Sequence, residues 1–231
     1  MAKTVILSVA DQQWNRWGDQ FVAAQPQARK QLLISPAPSV AQAKAALLNA
    51  IREAGATGTL IISVGHGAGA SDNPLEGMVD LAPNRVLRLG GANATVPPNF
   101  VSVFYDVSLR GPPSLSDLDN DTKFNPGSAR LKNWAVYQEI SAAFRAVAPR
   151  EVILLSCNVG NSTQFVKKIA NDWGVVVRAY KVQVALDPNP PRFKVYLVNN
   201  PPPYRTAAET ILHEEQLPFA PASTVLVGPP L

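Results

Sequence analysis

Three short apolar runs constrain this chain more than anything else in it: KTVILSV at residues 3 to 9, RKQLLIS at 29 to 35 and GTLIISVG at 58 to 65. Each is too short for a core helix and reads as a strand; the β-branched content of KTVILSV marks it as a buried one. Between them lie segments of helical period. The first covers Gln12 to Ala24; the second follows Ser39 and carries Ala43, Leu47, Ala50 and Ile51 on one face. Ser39 suits an N-cap and Gly55 a helix end. Strand, helix, strand, helix, strand with continuously apolar strands predicts an α/β fold, a three-layer αβα sandwich around a mostly parallel central sheet. Such sheets bind their ligands at the carboxyl ends of the strands.

Beyond Gly67 the periodicity weakens until about Gly127. Residues 77 to 91 alternate across Pro83 and Asn84 and predict a hairpin. Residues 106 to 128 have the glycine, proline, serine and aspartate density of an exposed loop. A helix is expected over 128 to 149, with Leu131, Trp134, Ala135, Ile140 and Phe144 as its buried stripe and Pro149 as its end. REVILLSCNVGNS, starting at Arg150, is a fourth buried run that breaks into Cys157, Asn158 and Gly160. A helix (162 to 174), one strand across 175 to 186, a proline-rich turn and a strand at 192 to 198 complete a domain spanning 1 to 198. The tail from 199 to 231 is proline-rich around a short helix near Thr206 to Glu215.

Composition removes several functional classes. The chain has 231 residues, 46% of them apolar and 16% charged, which suits a globular fold with one sizeable core. Its net charge of +4 comes from lysines and arginines that never form a run, so no nucleic-acid partner is expected. The first apolar stretch runs into Asp11 too soon for a secretory signal, and no segment approaches the ~20 apolar residues of a membrane span. A cytoplasmic chain with no membrane partner is therefore expected; export without a cleaved signal is compatible with the same features. The single Cys157 rules out an intrachain disulfide and a four-thiolate zinc site.

The chain's one cysteine and one of its two histidines each end a buried apolar run, with glycine close by. If those strands are neighbours, Cys157 and His66 emerge on the same edge, the geometry that nucleophilic catalysis by cysteine requires. A thiol titrates near ~8.5, so an imidazole beside it raises its reactivity at neutral pH. Gly65 and Gly67 let the backbone turn beside the imidazole, and the N–H groups of Gly67 and Cys157 could both point at a developing oxyanion. The plainer alternative is that Cys157 is simply a packed free cysteine.

SVGHGAG at 63 to 69 resembles the Ser-Gly-His-Gly-Gly type motif of the caspase-like (clan CD) cysteine peptidases, which include caspases, metacaspases, clostripain-like and CHAT-domain proteases. LLSCNVG at 154 to 160 resembles their nucleophile segment, which reads Asp-Ser-Cys-His-Ser-Gly in metacaspases. The order of elements over residues 3 to 198 agrees with that clan. The resemblance implies a caspase-haemoglobinase-like fold, Cys157 as nucleophile, His66 as general acid and base, Gly67 and Cys157 as oxyanion-hole donors, and no cofactor or metal. It implies a peptide or protein substrate that adds as a strand along 178 to 186, with Ser156, Arg178, Tyr180 and Lys181 as contacting residues, and cleavage of the chain itself within 106 to 128. Asp11 stands where related enzymes place an acid that receives a basic side chain; it is equally suited to cap the next helix. Leu155 and Asn158 depart from the metacaspase pattern, which has an acid and a histidine there. The oligomeric state is not legible.

Two other readings use the same residues. Cys157 with His213 and Glu215 follows the triad order of class I glutamine amidotransferase-like hydrolases, although the glycines of their nucleophile elbow are replaced by Leu155 and Val159. The chain could also keep the caspase-like fold as an inactive binding or scaffold protein.

Overall fold

The computed structural model describes residues 3–69, 77–90, 101–103, 123, 129–181, 183–187, 194–198, 213–215 and 224–229. The first half follows the apolar pattern: β1 (Thr4–Val9), α1 (Gln12–Ala24), β2 (Arg29–Ile34), α2 (Val40–Ala54) and β3 (Thr59–Ser63). A small second sheet comes next, from β4 (Gly67–Gly69), β5 (Gly77–Asp80), β6 (Leu87–Gly90) and β7 (Val101–Val103). The chain returns through α3 (Ala129–Val147), β8 (Glu151–Leu154), α4 (Thr163–Trp173) and β9 (Val177–Tyr180). A third sheet holds β10 (Gln183–Asp187), β11 (Lys194–Val198) and β12 (His213–Glu215), and β13 (Thr224–Val227) rejoins the first.

The main sheet has the order β13-β9-β8-β3-β1-β2, parallel throughout except for β13, which runs antiparallel to β9. Alternation along the strands sorts their side chains into two cores. Val5, Leu7, Leu60, Ile62, Val152 and Leu154 pack on one face with α2, α3 and α4, whereas Ile6, Ile61, Ile153 and Leu155 pack on the other with Trp17 and Phe21 of α1. This division follows from connection handedness. The step from β1 to β2 runs one way along the sheet and the steps from β2 to β3, β8 and β9 run the other, so right-handed crossovers put α1 alone on its face. Helices thus cover both faces of a mostly parallel sheet, as expected.

Local signals behave as their chemistry predicts. Ser39 forms a full capping box with Gln42, and Gly174 ends α4 in the left-handed conformation at φ 66°. β5 and β6 pair across a turn at Pro83–Arg85, with Asn84 at φ 53°.

Four expectations need correction or lie beyond the described residues. The apolar run 175 to 186 is not one strand: β9 stops at Tyr180, Lys181 is exposed, and β10 starts in another sheet. Its neighbour β8 is only four residues long, so a longer strand there would have had no partner. Tyr137 takes the place of Ala135 in the buried stripe of α3, beside Ile140 and Phe144, while Ala135 is exposed. The end of the expected tail helix, His213–Glu215, is a strand paired with β11, and residues 206 to 212 lie outside the described set. A helix that short is marginal by itself, and pairing with an open strand edge satisfies its backbone instead. The loop at 106 to 128 lies outside the described residues apart from the exposed Lys123. Among the described residues no helix is long and apolar enough to cross a membrane.

Candidate active site

The site is built where β3 and β8 end. These strands are paired neighbours in register Thr59↔Glu151 through Ile62↔Leu154, and the N–H of Leu155 still donates to the Ile62 carbonyl (3.0 Å). Both chains then leave the sheet at its carboxyl edge, one carrying His66 and the other Cys157. β1 ends on the other side of β3, and its connection departs toward the opposite face from that of β3. The crevice between two such strands is where open α/β sheets bind ligands. Asp11 stands at the end of β1, directly before α1, and its carbonyl accepts from the Asn15 N–H (3.0 Å).

His66 occupies the short link between β3 of the main sheet and β4 of the second sheet, and it is exposed. Its backbone is held at both polar atoms by one residue: Asp80 Oδ2 accepts the His66 N–H (3.0 Å), and the Asp80 N–H donates to the His66 carbonyl (2.8 Å). Asp80 and Arg88 are cross-strand partners in the hairpin and form a buried ion pair, with Arg88 Nε 2.5 Å from Oδ1 and Nη2 3.1 Å from Oδ2. Sequence reasoning passed over both residues. Their signal was present as opposite charges placed across a predicted hairpin turn.

Cys157 is half-buried at the start of the segment that follows β8, and Asn158 after it adopts the left-handed conformation at φ 59°. The two loops meet. Ser156 Oγ donates to the Gly65 carbonyl (3.3 Å), and a Cβ at Gly67 would lie 2.3 Å from Val159 Cγ2 and 2.9 Å from the Cys157 carbonyl oxygen. Glycine at 67 is therefore a condition of that contact, because any side chain would push the loops apart. The thiol faces β10: Val184 N–H donates to Sγ (3.2 Å), and Sγ lies 3.4 Å from the Val184 carbonyl oxygen as donor. Val184 belongs to the split run and went unnoticed in the sequence.

The remaining candidates are dispersed. Ser156 is buried and serves as the link between the loops. Arg178 is engaged away from the edge, with Nε 2.5 Å from Glu151 Oε1 at the amino end of β8 and Nη1 3.1 Å from Thr224 Oγ1. Tyr180 is fully buried among Ile6, Ile61, Ile153 and Leu155, so Lys181 alone of the three strand residues is exposed. His213 and Glu215 stand in β12, opposite Leu197 and Val195 of the third sheet. Among the described residues no group of three His, Cys, Asp or Glu side chains could hold a metal ion. No family model, curated protein or solved structure matches the chain.

Proposed function

We propose that the chain is a cysteine hydrolase working through Cys157 and His66. Within that class, the reading that accounts for most of its features is a caspase-like cysteine endopeptidase. One observation carries it: the only cysteine and an exposed histidine follow adjacent, paired parallel strands, in loops that touch through Ser156, Gly65 and Gly67. The order of helices and strands, with the histidine after β3 and the cysteine after β8, supports the narrower reading.

In the proposed reaction His66 takes the Cys157 proton as sulfur attacks the scissile carbonyl carbon. The N–H groups of Gly67 and Cys157 receive the negative oxygen. Collapse of that intermediate breaks the C–N bond, and the imidazolium returns its proton to the leaving amine. Water activated by His66 then attacks the thioester, releasing the acid and regenerating the thiol. The substrate is a peptide or protein, and residues 106 to 128 are where the chain would cut itself.

Two measurements test this. Iodoacetamide labelling of Cys157 at neutral pH should slow about tenfold in His66→Ala, since the imidazole no longer assists the thiol. Equal rates would remove the dyad and favour a packed cysteine in a binding protein; slowing in His213→Ala alone would favour the amidotransferase-like triad. Intact mass after incubation should then reveal fragments ending within 106 to 128 that are absent from Cys157→Ala.

A further inference from the structure

We propose that Asp80 is the positioning residue of His66 and that Arg88 orients it, an inference that rests on reading His66 as the general acid and base. The link between β3 and β4 has glycine on both sides of the histidine. Gly65 and Gly67 contribute no side-chain packing and widen the backbone choices available there. Something other than neighbouring side chains must decide where the exposed imidazole stands.

Asp80 supplies that constraint from a different element. It binds the N–H of His66 with its carboxylate and the carbonyl of His66 with its own N–H, which removes the freedom of the peptide units on both sides of one Cα. The fit is close, since a Cβ at Gly65 would stand 2.7 Å from Asp80 Cβ and 2.9 Å from Oδ2. Gly65 is therefore what lets the carboxylate reach the next amide. The Arg88 guanidinium fixes that carboxylate at two points, a geometry that sets orientation as well as attraction. Asp80 and Arg88 are 2% and 6% exposed, and a buried ion pair adds little net stability over an apolar pair of similar volume. Its place behind the histidine is explained by what it aims. The peptide unit that gives its His66 N–H to Asp80 also accepts, through the Gly65 carbonyl, from Ser156 next to the nucleophile, so one peptide plane is tied to the ion pair and to the cysteine loop at once.

The test separates aiming from simple support by exchanging the ion pair for neutral partners with and without an acceptor for the His66 N–H. Asp80→Asn with Arg88→Met retains the acceptor and removes both charges of the pair. Asp80→Ala with Arg88→Met is equally neutral and lacks the acceptor. Iodoacetamide labelling of Cys157 at neutral pH should stay within about threefold of wild type in the first and fall about tenfold in the second, as displaced catalytic groups lose rate steeply. With His66→Ala added, the two pairs should label alike. Equal rates for the two pairs in the presence of His66, or a difference that persists in its absence, would overturn the inference. The reading of His66 itself fails separately, when His66→Ala alone leaves labelling unchanged. Should the alanine pair not fold, hydrogen exchange in wild type decides: the His66 amide is expected to be protected, and exchange at the rate of an open loop would sink the proposal.

Discussion

At the amino ends of the central strands, charged side chains meet at the solvent boundary and tie neighbouring elements together. Lys3 and Lys30 both reach Glu53 at the end of α2 (2.7 and 2.8 Å), and Arg178 of β9 reaches Glu151 of β8 (2.5 Å). Arg150 adds a backbone bond to the Gly58 carbonyl (2.9 Å) and a guanidinium bond to Thr59 Oγ1 (3.1 Å). At the carboxyl ends the pattern inverts. The Asp80–Arg88 ion pair there is buried, the loops touch through glycines, and the imidazole is what faces solvent. The first end uses charge to hold strands in register. The second places close-packed loops and a buried pair around two side chains capable of chemistry.

Breaking the buried pair is expected to have the largest effect on folding. Arg88→Ala leaves the Asp80 carboxylate buried beside His66 without its guanidinium, and should cost about 3–5 kcal/mol in a urea unfolding experiment. Arg178→Ala, at the partly exposed pair of the other end, should cost far less; equal losses would erase the contrast between the two ends. Gly67→Ala comes next. Its added methyl group would stand 2.3 Å from Val159 Cγ2 and 2.8 Å from Ser156 Cβ, so overpacking should cost about 1–3 kcal/mol and separate the loops. Because that separation strikes the site directly, labelling of Cys157 in Gly67→Ala should slow by more than its stability loss accounts for. A variant as stable and as reactive as wild type would show that the contact between the loops is dispensable.

Much of this arrangement could be read before any coordinates. Buried runs of four to six residues, helices of period 3.6 and the helix-end signals at Ser39 and Gly55 are local, and they located the strands of the main sheet up to β9. The placement of His66 and Cys157 just past two of those runs is equally local. Their adjacency depends on β8 pairing with β3 across residues that carry no such signal, so it was an expectation about topology. What sequence patterns missed is non-local throughout. The exit of the chain from the sheet at Lys181 depends on how long its neighbour β8 is. β12 forms because β11 offers an open edge, and Tyr137 displaces Ala135 because of how α3 is rotated against the sheet. Asp80 and Arg88 were visible as hairpin residues, but their service to His66 follows from a contact between two sheets. The approach of Val184 to the thiol depends on the same break at Lys181 that the apolar run concealed.

The smallest effect is expected at the exposed amino end, and it sharpens the comparison from the other side. Hydrogen bonds from the ammonium groups of Lys3 and then Lys30 lower the Glu53 carboxyl from 4.5 to about 2, with the two positive charges acting in the same direction. A lowered value means that the folded chain takes up this proton less readily than the unfolded chain. The contribution of Glu53 is therefore complete above its ordinary value near 4.5 and disappears as pH falls toward about 2. Its carboxyl carbon should titrate near that lower value by NMR and move back toward 4.5 in Lys3→Ala with Lys30→Ala. At neutral pH, Glu53→Gln should shift the melting midpoint by no more than about two degrees, because solvent and salt screen such pairs. Any difference from wild type should narrow between pH 4.5 and 2, and it should shrink further as salt is added. A shift as large as that from Arg88→Ala would mean that the amino-end charges carry the fold as heavily as the buried pair does, and the division of labour between the two ends would have to be abandoned.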